Sequence, residues 1–309
     1  MKELLRSSVR PNLRLYLVLL LAALVTGCSN GPSASSAGKI HVVAGENFYG
    51  DLVARVGGDR VSVTSILSDP NVDPHSYESS PANAQEVADA SLVVENGFGY
   101  DTFLEHLMSA SPDSERAVVD VEKVLDLADD GDGYSCGIWY DPQAMVKVAR
   151  SVADALSTLE PASTADFQAN LKTYIDSLTP LTSKIAELKA AYPRTPVAYA
   201  DPVPAYLVNA LGWQSLTPKG FAKSIEEGTD PAPADVAAEQ DLMTGHEIKV
   251  FLYNSQVTTP MTDAIKALAT QSDVPVVAVT ETIPKVGESY VDWQLAQLDA
   301  IEAAMGTGR

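Results

Sequence analysis

Residues 39–67 read KIHVVAGENFYGDLVARVGGDRVSVTSIL. KIHVVA (39–44) and VSVTSIL (61–67) are apolar runs of strand length, rich in β-branched residues. ENFYGDLVARV (46–56) lies between them and has a helical pattern. Strands that are apolar throughout are covered on both faces, and strand–helix–strand alternation predicts a parallel sheet. The same signal recurs at 91–95 (SLVVE) and 116–121 (RAVVDV), then at 195–200 (TPVAYA), 248–254 (IKVFLYN) and 274–280 (VPVVAVT). Helical patterns fill the gaps at 81–89, 100–109, 232–245 and 260–271. The predicted fold is α/β: two lobes, each a doubly wound, mostly parallel sheet flanked by helices.

The two strand sets are separated by a helical stretch, 142–191. Phe167, Leu171, Tyr174, Ile175, Leu178, Leu181, Ile185 and Leu188 recur at three- and four-residue steps, one face of a helix. A helix over residues 165–191 would run roughly 40 Å at 1.5 Å per residue, and Pro180 should kink it because it lacks an N–H. The expected layout is an N-terminal lobe at 39–160, a long rigid connecting helix at 161–193 and a C-terminal lobe at 194–309.

Ahead of the first lobe stands an address. Residues 1–14 carry four bases and one acid, residues 15–25 (LYLVLLLAALV) are an apolar run, and Thr26-Gly27-Cys28 supplies small residues at a cut. That is the layout of a secretory signal, here over residues 1–27, and its apolar run is too short to span a bilayer. The Ser/Gly-rich stretch at 29–38 reads as a flexible tether. V-T-G-C (25–28) resembles a lipoprotein lipobox, which implies cleavage before Cys28; that would remove four basic residues and one acidic, leaving 17 against 40, a net of −23. Such a charge argues against nucleic acid, which needs Lys and Arg to displace its counterions, and agrees with a cationic ligand or a solvated acidic surface. Two cysteines in 309 residues exclude a disulfide-stapled scaffold.

Ligands of open parallel sheets bind beyond the carboxyl ends of the strands. The polar residues there are His75 in SDPNVDPHSYE (68–78), Cys136 and Asp141 in the loop after 116–121, Asp201 directly after 195–200, and Glu281 directly after 274–280. A neutral imidazole with two carboxylates suits a divalent first-row metal. No Gly-x-Ser-x-Gly elbow, Walker loop or Gly-x-Gly-x-x-Gly turn occurs, and nothing recognisable would hold a substrate, so an enzyme is not expected. His41, His106 and His246 read as structural residues, in a strand, mid-helix and ahead of a strand.

Several stretches together resemble the metal-binding lipoproteins of zinc/manganese ABC importers, the cluster A-I solute-binding proteins. They are VTGC (25–28), VVAGENFYGDLVARVGGDRVSV (42–63), DPHSYESSPANAQEVADASLVVENGFGYD (73–101), IWYDPQAMVKVA (138–149), GFAKSIEEGTDPAPADV (220–236), FLYNSQVTTP (251–260) and VTETIP (279–284). The resemblance covers nearly all of 39–300, in order. It implies two α/β lobes, a rigid connecting helix and a metal in the cleft. By matching position, His75, Asp201 and Glu281 would be ligands, Asp201 standing where Glu is commoner and Glu281 where Asp is commoner. It further implies lipid attachment at Cys28 and an extracytoplasmic, lipid-anchored, monomeric receptor that delivers zinc or manganese to a permease with its ATPase.

One position departs from the family. The stretch Ser135-Cys136-Gly137-Ile138-Trp139-Tyr140-Asp141-Pro142 has glycine where the second histidine ligand stands. Cys136 could move in as a thiolate, which favours zinc. Water or Asp141 could complete an oxygen-rich shell, which favours manganese or iron. The site could also be degenerate, leaving a receptor for another solute or a surface adhesion protein. The His-rich loop of many zinc members is replaced by the short acidic stretch 126–133 (DLADDGDG).

Overall fold

The computed structural model describes residues 38–72, 74, 77–126 and 136–307. The signal, Cys28, the tether, His75 and most of the acidic loop therefore lie outside the described residues. The first sheet holds β1 (Ile40–Glu46), β2 (Val61–Leu67), β3 (Leu92–Glu95) and β4 (Ala117–Asp120) in the order β2-β1-β3-β4. The second holds β5 (Pro196–Tyr199), β6 (Gln214–Ser215), β7 (Val250–Asn254) and β8 (Val276–Val279) in the order β6-β5-β7-β8. Every pair is parallel. The two lobes thus repeat one topology: the chain goes out from the lobe's first strand to one edge, then returns past it to the other. The order reverses between β1 and β3 and between β5 and β7, which are the two places where a doubly wound sheet opens a crevice.

The helices of the first lobe are α1 (Asn47–Gly57), α2 (Pro81–Asp89), α3 (Thr102–Ala110), α4 (Val121–Leu125) and α5 (Pro142–Leu159). Those of the second are α8 (Ala205–Ala210), α9 (Lys219–Glu226), α10 (Pro233–Thr244), α11 (Pro260–Gln271) and α12 (Tyr290–Thr307). Two helices, α6 (Thr164–Ser177) and α7 (Thr179–Ala191), make the connection. The expected long connecting helix is present with a break at Leu178, two residues before Pro180, the kink that the missing N–H predicts. α6 packs on α1 and α5, whereas α7 packs on α12, so each half of the connector belongs to one lobe. Lys184 of α7 reaches Asp299 at 2.8 Å and Glu302 at 2.7 Å on α12.

Side chains alternate across a strand, and β1 sorts them into two cores. Val43 enters a small cluster with Val93, Phe103 and Leu104. Val42 and Ala44 face a large one that continues through both lobes, from Ile40 to Ile301. Its centre is aromatic: Phe48 lies 4.8 Å from Trp139 and 6.0 Å from Trp293, between ring centroids, and Tyr140 and Tyr290 close on Trp293 at 6.1 and 6.2 Å. Two hydrogen-bond sets cross the same seam. Asn47 donates Nδ2 to the Ile283 carbonyl at 2.9 Å and accepts from its amide at 2.9 Å. Tyr290 donates its hydroxyl to the Trp139 carbonyl at 2.7 Å.

Candidate metal site

Asp201 follows β5 by two residues and is buried. Its Oδ1 accepts the amide of Val203 at 2.9 Å, closing a short turn. That turn lays the Val203 carbonyl against Gly137: a Cβ added to Gly137 would stand 2.1 Å from Val203 O. No side chain fits there without moving backbone. The glycine at 137 is therefore matched by the fold around it, since the space next to its α-carbon is taken by the second lobe.

Glu281 follows β8 and is fully buried. Its Oε1 accepts Asn254 Nδ2 at 2.7 Å, from the end of β7, and its Oε2 accepts the Tyr100 hydroxyl at 2.6 Å, from the first lobe. Gln256 holds the loop: its Oε1 accepts the amides of Glu281 and Thr282 at 2.6 and 2.9 Å. Its Nε2 reaches across to the Val72 carbonyl at 3.3 Å, in the segment that leads to His75.

Tyr100 is delivered by an unusual turn. Gly97, Phe98 and Gly99 have φ of 74°, 56° and 75°, three left-handed residues in a row. Glycine adopts this region freely and phenylalanine does not. The Asp101 carboxylate holds the turn by accepting the amides of Asn96 at 2.6 Å and Gly97 at 2.9 Å, while Glu122 accepts that of Phe98 at 2.7 Å.

Cys136 is buried, and its Sγ donates to Glu226 Oε1 on α9 at 2.9 Å. Burial pushes the thiol well above its usual range, and the nearby acids Glu226 and Asp201 push the same way. It stands as a neutral donor; service as a thiolate ligand would require loss of that proton and of its bond to Glu226. Asp141 caps α5, accepting the Gln143 amide at 2.8 Å.

A further acid comes from the first lobe. The sequence pattern places Glu46 in the helix that follows the first strand, but β1 extends through it, so it ends a central strand at the first crevice. It is fully buried and neither carboxylate oxygen has a hydrogen-bond partner. Burial first, then Asp101, Glu95 and Glu281, raise its pKa well above the usual carboxylate range. Burial likewise raises Glu95 to about 7 and Asp101 to about 6. Buried carboxyl groups thus come from both lobes. Among the described residues, no three His, Cys, Asp or Glu side chains stand ready to hold an ion together. The sequence singled out Asp201, Glu281 and Cys136, which are buried here, and passed over Glu46, Tyr100, Asn254 and Gln256. Of these only Glu46 carried a usable signal, an acid where an apolar strand stops.

The other histidines are accounted for without a ligand role. His41 Nε2 pairs with Glu86 at 3.0 Å, and His106 and His246 lie exposed on α3 and after α10.

Two α/β lobes of one topology, packed on a shared core with buried carboxyl groups, are an architecture that solved structures share. The periplasmic zinc binding protein TroA from Treponema pallidum superposes with a TM-score of 0.74 at 19% identity, over 87% of this chain and 99% of that one. The manganese ABC transporter substrate-binding lipoprotein scaA of Streptococcus gordonii is 24% identical over 94% of this chain and 98% of its own length. The manganese-binding lipoprotein MntA of Halalkalibacterium halodurans is 26% identical over 74% and 77%. The family model described as zinc-uptake complex component A, periplasmic, matches residues 42–304, and the chain belongs to that family.

Proposed function

We propose that this protein is the extracytoplasmic, lipid-anchored solute-binding component of an ABC importer, which captures a divalent transition metal, zinc or manganese, in the interlobe cleft and hands it to a permease with its ATPase. The observation that carries the reading is the pair of buried carboxylates, Asp201 and Glu281, set at the carboxyl ends of β5 and β8. Buried carboxylates are retained where a cation meets them. His75 would add the imidazole, and Cys28 would carry the lipid. Nothing in this role needs a bond made or broken, so it is a receptor role and not a catalytic one. The mature net charge of −23 favours the approach of a dication.

Titration of metal-stripped protein with zinc and with manganese tests the reading. Binding should be stoichiometric, and His75→Ala and Glu281→Ala should each weaken it by at least an order of magnitude. Equal affinity in both variants would overturn the ligand assignment. The closed space at Gly137 favours a second reading, a family member whose metal site has decayed and which serves another solute or a surface contact. Wild-type protein that takes up neither ion would select it.

A further inference from the structure

We propose that Glu46 is a third acidic ligand of the cleft, supplied by the first lobe, and that it biases the receptor toward a hard, oxygen-preferring dication of the manganese class over zinc. This rests on the reading of the cleft as a metal site. Three observations carry it. Glu46 ends β1 at the topological switch point, where doubly wound sheets bind their ligands. Its side chain leaves the sheet on the face of Val42 and Ala44, which line the core common to both lobes. The next residue, Asn47, is clamped to Ile283, two residues beyond Glu281, so the end of β1 is fixed beside the Glu281 loop.

The chemistry of the group singles it out. The neighbouring acid Asp101 spends its oxygens on the Asn96 and Gly97 amides. Glu46 is as deeply buried and neither of its oxygens has a hydrogen bond. A buried polar atom without a partner costs on the order of 1–3 kcal/mol, so such a group is retained where something pairs with it part of the time. The charged groups that act most on Glu46 are acids, Asp101, Glu95 and Glu281. The partner that would relieve it is a cation. Glu46 is not in a ready-made group of three ligands; reaching an ion held by Glu281 requires a rotation of its side chain. A further carboxylate in place of an imidazole shifts a site from nitrogen-rich to oxygen-rich, which suits manganese better than zinc. The Val203 carbonyl, which bars a side chain at Gly137, keeps a second imidazole out.

The test is Glu46→Gln, which keeps shape and removes the charge. Metal-stripped wild type and variant are titrated with manganese and with zinc. Manganese affinity should fall about tenfold or more and zinc affinity less than about threefold, a loss of selectivity, with the range set by what single-ligand changes do. Glu46→Asp, with the acid kept on a shorter stem, should fall between, which guards against misfolding of the amide variant. Wild-type affinities for both ions in Glu46→Gln, or equal losses for both, overturn the proposal while leaving the receptor reading intact. A wild type that binds neither ion overturns both.

Discussion

At Gly137 a hydrogen is all that the α-carbon can carry. The Val203 carbonyl occupies the space of a Cβ, and Asp201 fixes Val203 through its amide. Gly137→His therefore should not restore a ligand. Overpacking of this kind costs about 1–3 kcal/mol, and Gly137→Ala should lower the melting temperature by several degrees without raising metal affinity, as thermal melts and titration will show. Asn254 offers the opposite case, a residue that touches the proposed ligand Glu281 without being one. Its amide donates to Glu281 and favours the ionised carboxylate. Asn254→Ala should weaken metal binding about tenfold, within the range for residues that orient ligands. Residue-level legibility was uneven for a physical reason. Asp201 and Glu281 stand just past apolar runs and announce themselves. Glu46 hides because a strand and a helix abut with no turn residue between them, and a two-residue error in the boundary turns a crevice acid into a helical one.

Among the elements, the central strands were legible because they are buried on both faces, and their predicted limits fall within two residues of those observed. β6 was not, since Gln214 and Ser215 have no apolar signature. α2 and α11 announce their starts with Ser80-Pro81 and Thr259-Pro260, where each hydroxyl accepts an amide of the first turn and proline takes the first helical position. α12 conceals its buried stripe, because Tyr290, Trp293, Leu298 and Ile301 are interleaved with buried Gln294 and Gln297. Gln297 earns that place by accepting the Thr280 amide at 3.0 Å and the Tyr140 hydroxyl at 2.9 Å, just ahead of Glu281. Gln297→Leu leaves a buried donor unmatched and should cost about 1–3 kcal/mol, seen as a lower denaturation midpoint. Metal affinity should fall with it, because the loop carrying Glu281 loses its anchor.

For the molecule as a whole, buried acids set the dependence on pH. Glu95 is raised to about 7, Asp101 to about 6 and, in the second lobe, Glu239 to about 8, burial being the leading cause in each. An acid with a raised folded pKa binds more protons folded than unfolded, so stability falls as pH rises through that window. Metal-free protein should melt at a lower temperature at pH 8 than at pH 5. Ligands hold a metal in their deprotonated form, so the rise in melting temperature on adding manganese should be larger at pH 8 than at pH 5.

The aromatic seam that joins Phe48, Trp139 and Trp293 has a thermodynamic corollary. Because the largest cluster of the interior is shared by both halves of the chain, each half alone owns only a smaller hydrophobic nucleus. Scanning calorimetry should record a single endotherm whose van't Hoff and calorimetric enthalpies agree. Either half produced by itself would expose raw indole and phenyl surface to water, and would aggregate instead of standing as a free module.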